Sequence, residues 1–183
     1  MKNILLFTFV FCLFSCAKEP IEPTAEELKF VFTGAGSQTP DPEPPPASIT
    51  YVETEMTAGQ NIDAGSISVI SDADGTHVSY DTTGDWIITE LHLYVGPIGD
   101  MPATKSGNPK IGKFPYKFEY NSGVTMVDIA IDDITSGNCE QVAAHAVVYN
   151  TVTGESETAW GAGEPMGGNS WAMYFDACNN TAN

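Results

Sequence analysis

Histidines, aromatic residues and carboxylates recur at alternate positions of short apolar runs, the spacing by which an extended strand presents side chains to one face. In Trp86–Val95 one parity holds Ile87, Thr89, Leu91, Leu93 and Val95, and the other holds Trp86, Ile88, Glu90, His92 and Tyr94. In Val142–Asn150 an apolar parity of Val142, Ala144, Ala146 and Val148 opposes Ala143, His145, Val147 and Tyr149. In Val124–Ile131, Val127, Ile129 and Ile131 read as core, with Met126 and Asp128 facing away. If these strands are neighbours, one sheet face gathers Trp86, Glu90, His92, Tyr94, Asp128, His145 and Tyr149. Three chemistries compete for that face. One is a second, partly buried layer whose histidines are simply hydrogen-bonded. Another is a sugar platform, because aromatic rings accept the apolar face of a pyranose while carboxylates and imidazoles bind its hydroxyls. The third is a Zn²⁺ site of His92, His145 and Asp128, supporting a metal-dependent hydrolase.

The sugar reading uses Trp86, Tyr94 and Trp160 as stacking residues and Glu90, His92 and His145 as polar partners. Trp160 opens a Gly-rich turn that ends at Trp171, and the alternation of Trp171, Met173 and Phe175 places Trp171 in the core, leaving Trp160 the freer ring. Lys105, Lys110, Lys113 and Lys117 gather on a long loop from Gly96 and the run that follows it. They read either as a solvated loop or as a lip attracting anionic glycans, with Phe114, Tyr116, Phe118 and Tyr120 behind. The nucleophile elbow, the H-E-x-x-H motif, the P-loop and the dinucleotide-binding glycine pattern are all missing from the sequence. Asp72-Ala73-Asp74-Gly75 opens like a calcium loop, but Thr83 stands where the closing Glu belongs, so a hairpin turn is the better reading. The expectation is a binding domain without catalysis, cofactor or resident metal.

The elements that must position these residues are strands. The chain has 183 residues, 42% of them hydrophobic, with 7 Lys plus Arg against 24 Asp plus Glu, a net charge of −17. All seven cations are lysines, so arginine clamps for phosphate are impossible, and such an acidic surface excludes nucleic acid as a partner. From Ser48 onward, short alternating runs are punctuated by Gly, Asp and Asn, without a helical stripe. Strands are predicted at Ile49–Glu55, Ser66–Ser71, Thr76–Tyr80, Trp86–Val95, Phe114–Asn121, Val124–Ile131, Val142–Asn150, Glu155–Trp160 and Trp171–Phe175. Asp74-Gly75, Ser122-Gly123 and Thr153-Gly154 are the predicted hairpin turns. This describes an all-β domain, an antiparallel β-sandwich of about eight or nine strands, with a small β-barrel as the alternative.

The first residues carry a different message. Met1-Lys2-Asn3 is a short basic start, and Ile4 to Phe14 is apolar throughout except for Thr8 and Cys12. At about 1.5 Å per residue that run cannot cross a hydrocarbon core of about 30 Å, and it fits the apolar core of a signal peptide. Leu13-Phe14-Ser15-Cys16 resembles the lipobox of bacterial lipoproteins, although Phe14 is bulkier than usual at its position. The resemblance implies a signal peptide over 1–15, cleavage before Cys16, and acylation of the Cys16 thiol (as by palmitate) and of the new amine. The acyl chains would anchor the protein in the membrane, since each buried methylene contributes about 0.8 kcal/mol. Ala17 is not the inner-membrane retention residue, and Lys18-Glu19 looks like a surface-export tag. The expected address is the outer membrane facing the medium, with the periplasmic face as the alternative. Residues 16–47, rich in Pro and acids, read as a tether, and 48–183 as the folded domain. Cys139 and Cys178 then remain as two thiols of an exported domain and are expected to form a disulfide.

Several stretches also resemble a β-rich extracellular domain that recurs in secreted and cell-surface proteins. They are Ala58-Gly59-Gln60, Glu90 to Gly96, Gly107-Asn108-Pro109, Gly112 to Tyr116, Ala144 to Val148 and Glu157 to Gly161. The likeness covers about Tyr51 to Phe175. It implies secretion and β-architecture, with no settled catalytic activity. The ligand expected on these grounds is an extracellular glycan, the alternative being a protein recognised by an adhesin or envelope component.

Overall fold

A computed structural model describes residues 47–181. The expected signal peptide, the lipidation at Cys16 and, but for Ala47, the tether lie outside the described residues. The domain is built from β1 (Ile49–Ala58), β2 (Ile62–Asp72), β3 (Gly75–Thr82), β4 (Trp86–Val95), β5 (Tyr116–Val124), β6 (Met126–Ile131), β7 (Cys139–Asn150), β8 (Ser156–Gly161), β9 (Glu164–Pro165) and β10 (Met173–Cys178). Single 3-10 turns at Ile98–Asp100 and Ile111–Lys113 interrupt the long loop between β4 and β5. Each predicted strand is present, and the two-residue β9 is added.

The strands form one antiparallel sheet in the order β5-β4-β7-β8-β1-β2-β3-β6, nearly closed and barrel-like. Beside β8, β10 pairs with the first residues of β7, from Cys139 to Val142. The near-closure comes from β5 and β6, the two ends of that order, which only Thr125 separates along the chain. β5 pairs with β4 and β6 with β3, not with each other. Ser122-Gly123 is therefore not the expected hairpin turn; β5 runs through it. Gly123 takes φ 69° and lies against Ile87, where an added Cβ would stand 2.3 Å from Ile87 Cδ1. The β2–β3 hairpin is as read: Asp72 faces Gly75, and the Asp74 N–H donates to Asp72 Oδ1 at 2.9 Å.

The concave side is an apolar interior of Met56, Ile67, Val69, Val78, Tyr80, Ile88, Leu91, Leu93, Val142, Val148 and their neighbours. Alternation inside β2, β3 and β7 aims these residues inward, and their burial supplies the main driving force for the fold. A smaller cluster of Tyr94, Met101, Phe114, Ala143, Trp160 and Ala172 lies on the convex side, under the loops that follow β4 and β8. The Cys139–Cys178 disulfide forms across β7 and β10, where the two residues are direct partners.

One irregularity changes which side chains share a face. Along β4, Ile88 pairs with Val148 and Glu90 with Val147, so Thr89 is an extra residue, a β-bulge. The side-chain alternation slips by one there. Trp86 and Ile88 join Leu91 and Leu93 in the interior, and Trp86 is only 7% exposed. The expectation that Trp86 stands beside Glu90 and His92 is corrected by this bulge.

Candidate functional site

The register sets four residues in a row across the convex face. Lys117 of β5 pairs with His92 of β4, His92 with His145 of β7, and His145 with Trp160 of β8. Direct partners in an antiparallel ladder project to the same side, so the adjacency that the strand pattern left open is realised for His92 and His145, and Trp160 joins them from β8. Ring centroids lie 5.5 Å apart for His92 and His145, and 4.8 Å apart for His145 and Trp160, the latter edge to face.

The row is mostly covered. His145 is 1% exposed, His92 5% and Trp160 5%. Burial, with the neighbouring His92, pushes the His145 pKa down to about 3, so the ring is neutral at physiological pH. Burial also lowers the pKa of His92, helped by Lys117 and opposed by Glu90 and Glu119. Glu90 Oε1 lies 3.3 Å from His92 Nε2. Nδ1 of His92 and Nδ1 of His145 are buried without a hydrogen-bond partner.

The chain matches no protein-family model, no curated protein and no solved structure. The site must speak through its own geometry.

That geometry reassigns most of the expected sugar platform. Trp86 faces the interior. Tyr94 is 7% exposed, and its hydroxyl donates to the Pro97 carbonyl at 2.8 Å. Trp160 was expected to be freer than Trp171; instead Trp160 is buried and Trp171 half-buried at the margin of the convex cluster. Only Glu90 of the expected binding set keeps a substantially exposed side chain, at 42%. Asp128 sits on β6 and lines a separate cleft with Asp72, Asp74 and His77, so the expected triad of His92, His145 and Asp128 does not assemble.

What remains open is a cleft of about 370 Å³ lined by Glu90, His92, Lys117, Phe118 and Glu119. Phe118 borders this cleft along the strand, but it pairs with Leu91 and so projects to the opposite face, where it is 43% exposed because β5 has no partner on its outer side. Its neighbours in the aromatic alternation are committed elsewhere: Phe114 to the convex cluster, and Tyr116 and Tyr120 to the interior. The sequence pattern marked Lys117 as part of the lysine lip and Phe118 as one of the aromatic residues behind it. It carried no signal for Glu119, whose role comes only from pairing opposite Glu90. Lys105, Lys110 and Lys113 are exposed nearby along the chain.

The cover over Trp160 and Tyr94 is stitched by one side chain. Asn108 Oδ1 accepts hydrogen bonds from the backbone N–H of Asn169, at 2.8 Å, and of Ser170, at 3.1 Å, joining the loop after β4 to the loop between β9 and β10. Asn108→Ala leaves those two donors to water. The expected cost is about 1 kcal/mol, with faster amide exchange at Asn169 and Ser170 and little change at core amides. Unchanged exchange at both positions would show that the two loops hold together without Asn108.

Proposed function

We propose that this chain is a lipid-anchored surface protein of the outer membrane whose β-domain binds an extracellular glycan in the cleft between β4 and β5, without catalysis. The observation that carries the reading is the open cleft of about 370 Å³ in which Glu90, Glu119 and Lys117 stand beside His92 on one face of β4 and β5. Carboxylates and an ammonium bind sugar hydroxyls and select substituents. The volume lies in the lower range of small-ligand sites. Anchoring rests on the lipobox-like Leu13-Phe14-Ser15-Cys16.

A glycan array probed with the purified protein, with and without EDTA, tests the reading. Binding is expected to survive EDTA. Glu119→Gln and Glu90→Gln are each expected to weaken it by at least about tenfold, the loss of 1.4 kcal/mol or more. The melting temperature should stay within a few degrees, since both side chains are substantially exposed. A blank array from protein with a cooperative thermal transition sinks the glycan reading and directs the search to a protein partner.

A further inference from the structure

The two orphaned ring nitrogens of the convex row belong to adjacent imidazoles. His92 and His145 are direct cross-strand partners with centroids 5.5 Å apart, and Nδ1 of each is buried with nothing to bond. Unsatisfied polar atoms at such depth are rare in folded proteins and point to a missing water or ion. On His92 the tautomer follows from its neighbour. Glu90 Oε1 lies 3.3 Å from Nε2, and a carboxylate only accepts, so in the neutral ring Nε2 carries the hydrogen and Nδ1 the lone pair. A histidine that ligates a metal ordinarily has its other nitrogen turned towards a carboxylate or carbonyl, as Nε2 of His92 lies towards Glu90.

We propose that His92 and His145 bind a copper ion through their Nδ1 atoms, with Glu90 fixing the orientation of His92 from its Nε2. The donor set selects the metal. Among the described residues no group of three or more His, Cys, Asp and Glu side chains could hold an ion. Closed four-ligand zinc and the oxygen cages of calcium are thus disfavoured. Imidazole suits copper, which heads the affinity order of the divalent ions, and Cu(I) is satisfied by two neutral imidazoles. Trp160, edge-on to His145 at 4.8 Å, closes the site and supplies an optical reporter.

The test titrates the full-length protein, stripped with EDTA and dialysed, with Cu²⁺ while tryptophan fluorescence is read. The same titration is repeated anaerobically with Cu(I) against a chromogenic competitor. Quenching by Cu²⁺ is expected to saturate at one equivalent. Trp160→Phe should lose most of the quenching yet keep the copper in equilibrium dialysis. His92→Asn and His145→Asn should each weaken binding by at least about tenfold. His77→Asn, which alters the remaining histidine of the three in the chain, should change nothing. Copper that fails to bind in either oxidation state, or binds equally well in the His92 and His145 variants, overturns the proposal. If His145→Asn lacks a thermal transition, His92→Asn decides alone. The outcome is separable from glycan binding, because Glu119→Gln leaves both imidazoles in place.

Discussion

Replacing Cys139 and Cys178 together by Ala is expected to destabilise the domain by about 4 kcal/mol and lower its melting temperature by roughly 10–15 °C. The bridge closes a loop with a sequence separation of 39, and a link of that span removes much of the freedom of the unfolded chain. The native state has its own reason to need it. β10 holds its place by four pairs with β7 and two with β9, yet it places Phe175 and Ala177 in the interior. The tail behind it is tied by Asn179, whose side chain donates to the Ile134 carbonyl at 2.6 Å and whose backbone bonds Gly137 and Asn138. Without the bridge this corner depends on a short ladder, and fraying from Met173 onward would open the interior to water. Urea and thermal unfolding of the double variant against the parent measure the effect. A midpoint unchanged within 2 °C would mean that the ladder and Asn179 suffice.

In chelator-treated protein, the row of buried rings is expected to make stability fall as the pH drops from about 6.5 towards 3. The unfolded chain carries His145 with its ordinary pKa near 6.5, whereas burial and the adjacent His92 lower it to about 3 in the fold. Between those values the unfolded state binds a proton that the folded state refuses. The contribution is complete above about pH 6.5 and is lost progressively below it, at up to about 1.4 kcal/mol per pH unit. His92 acts in the same direction, moderated by Glu90 and Glu119 and reinforced by Lys117. The decisive quantity is the difference between the parent and His145→Phe, which cancels every contribution that the two proteins share. That variant keeps an edge-to-face partner for Trp160 and removes the titrating nitrogen. Its unfolding free energy should decline less steeply between pH 6.5 and 4. Parallel pH profiles for the two proteins would remove His145 as the cause.

Most strands were legible because each alternates against one buried face. β3 reads buried at Thr76, Val78 and Tyr80, as period-two patterning requires, whereas β7 buries Ala143 and His145 under the loops as well as Val142, Ala144, Ala146 and Val148 in the interior. The disulfide was legible from the cysteine count once the chain is read as exported. Trp86 was misplaced because a bulge at Thr89 leaves no mark in a sequence, and a single inserted residue exchanges the faces on either side of it. Trp160 was misread because its burial depends on two loops distant in the chain, which Asn108 joins.

The residue order by itself determined an all-β chain, its acidic surface, the strand positions and the parity that puts His145 opposite the apolar face of β7. Those properties are local: alternation, turn residues and net charge need no knowledge of partners. Tertiary structure alone decided that His92 meets His145 and Trp160, that Asp128 stands apart from them, and that Phe118 is left open at an edge. Pairing order and register join residues far apart in sequence through backbone hydrogen bonds that every residue type except proline can donate, so side-chain identity does not encode them directly.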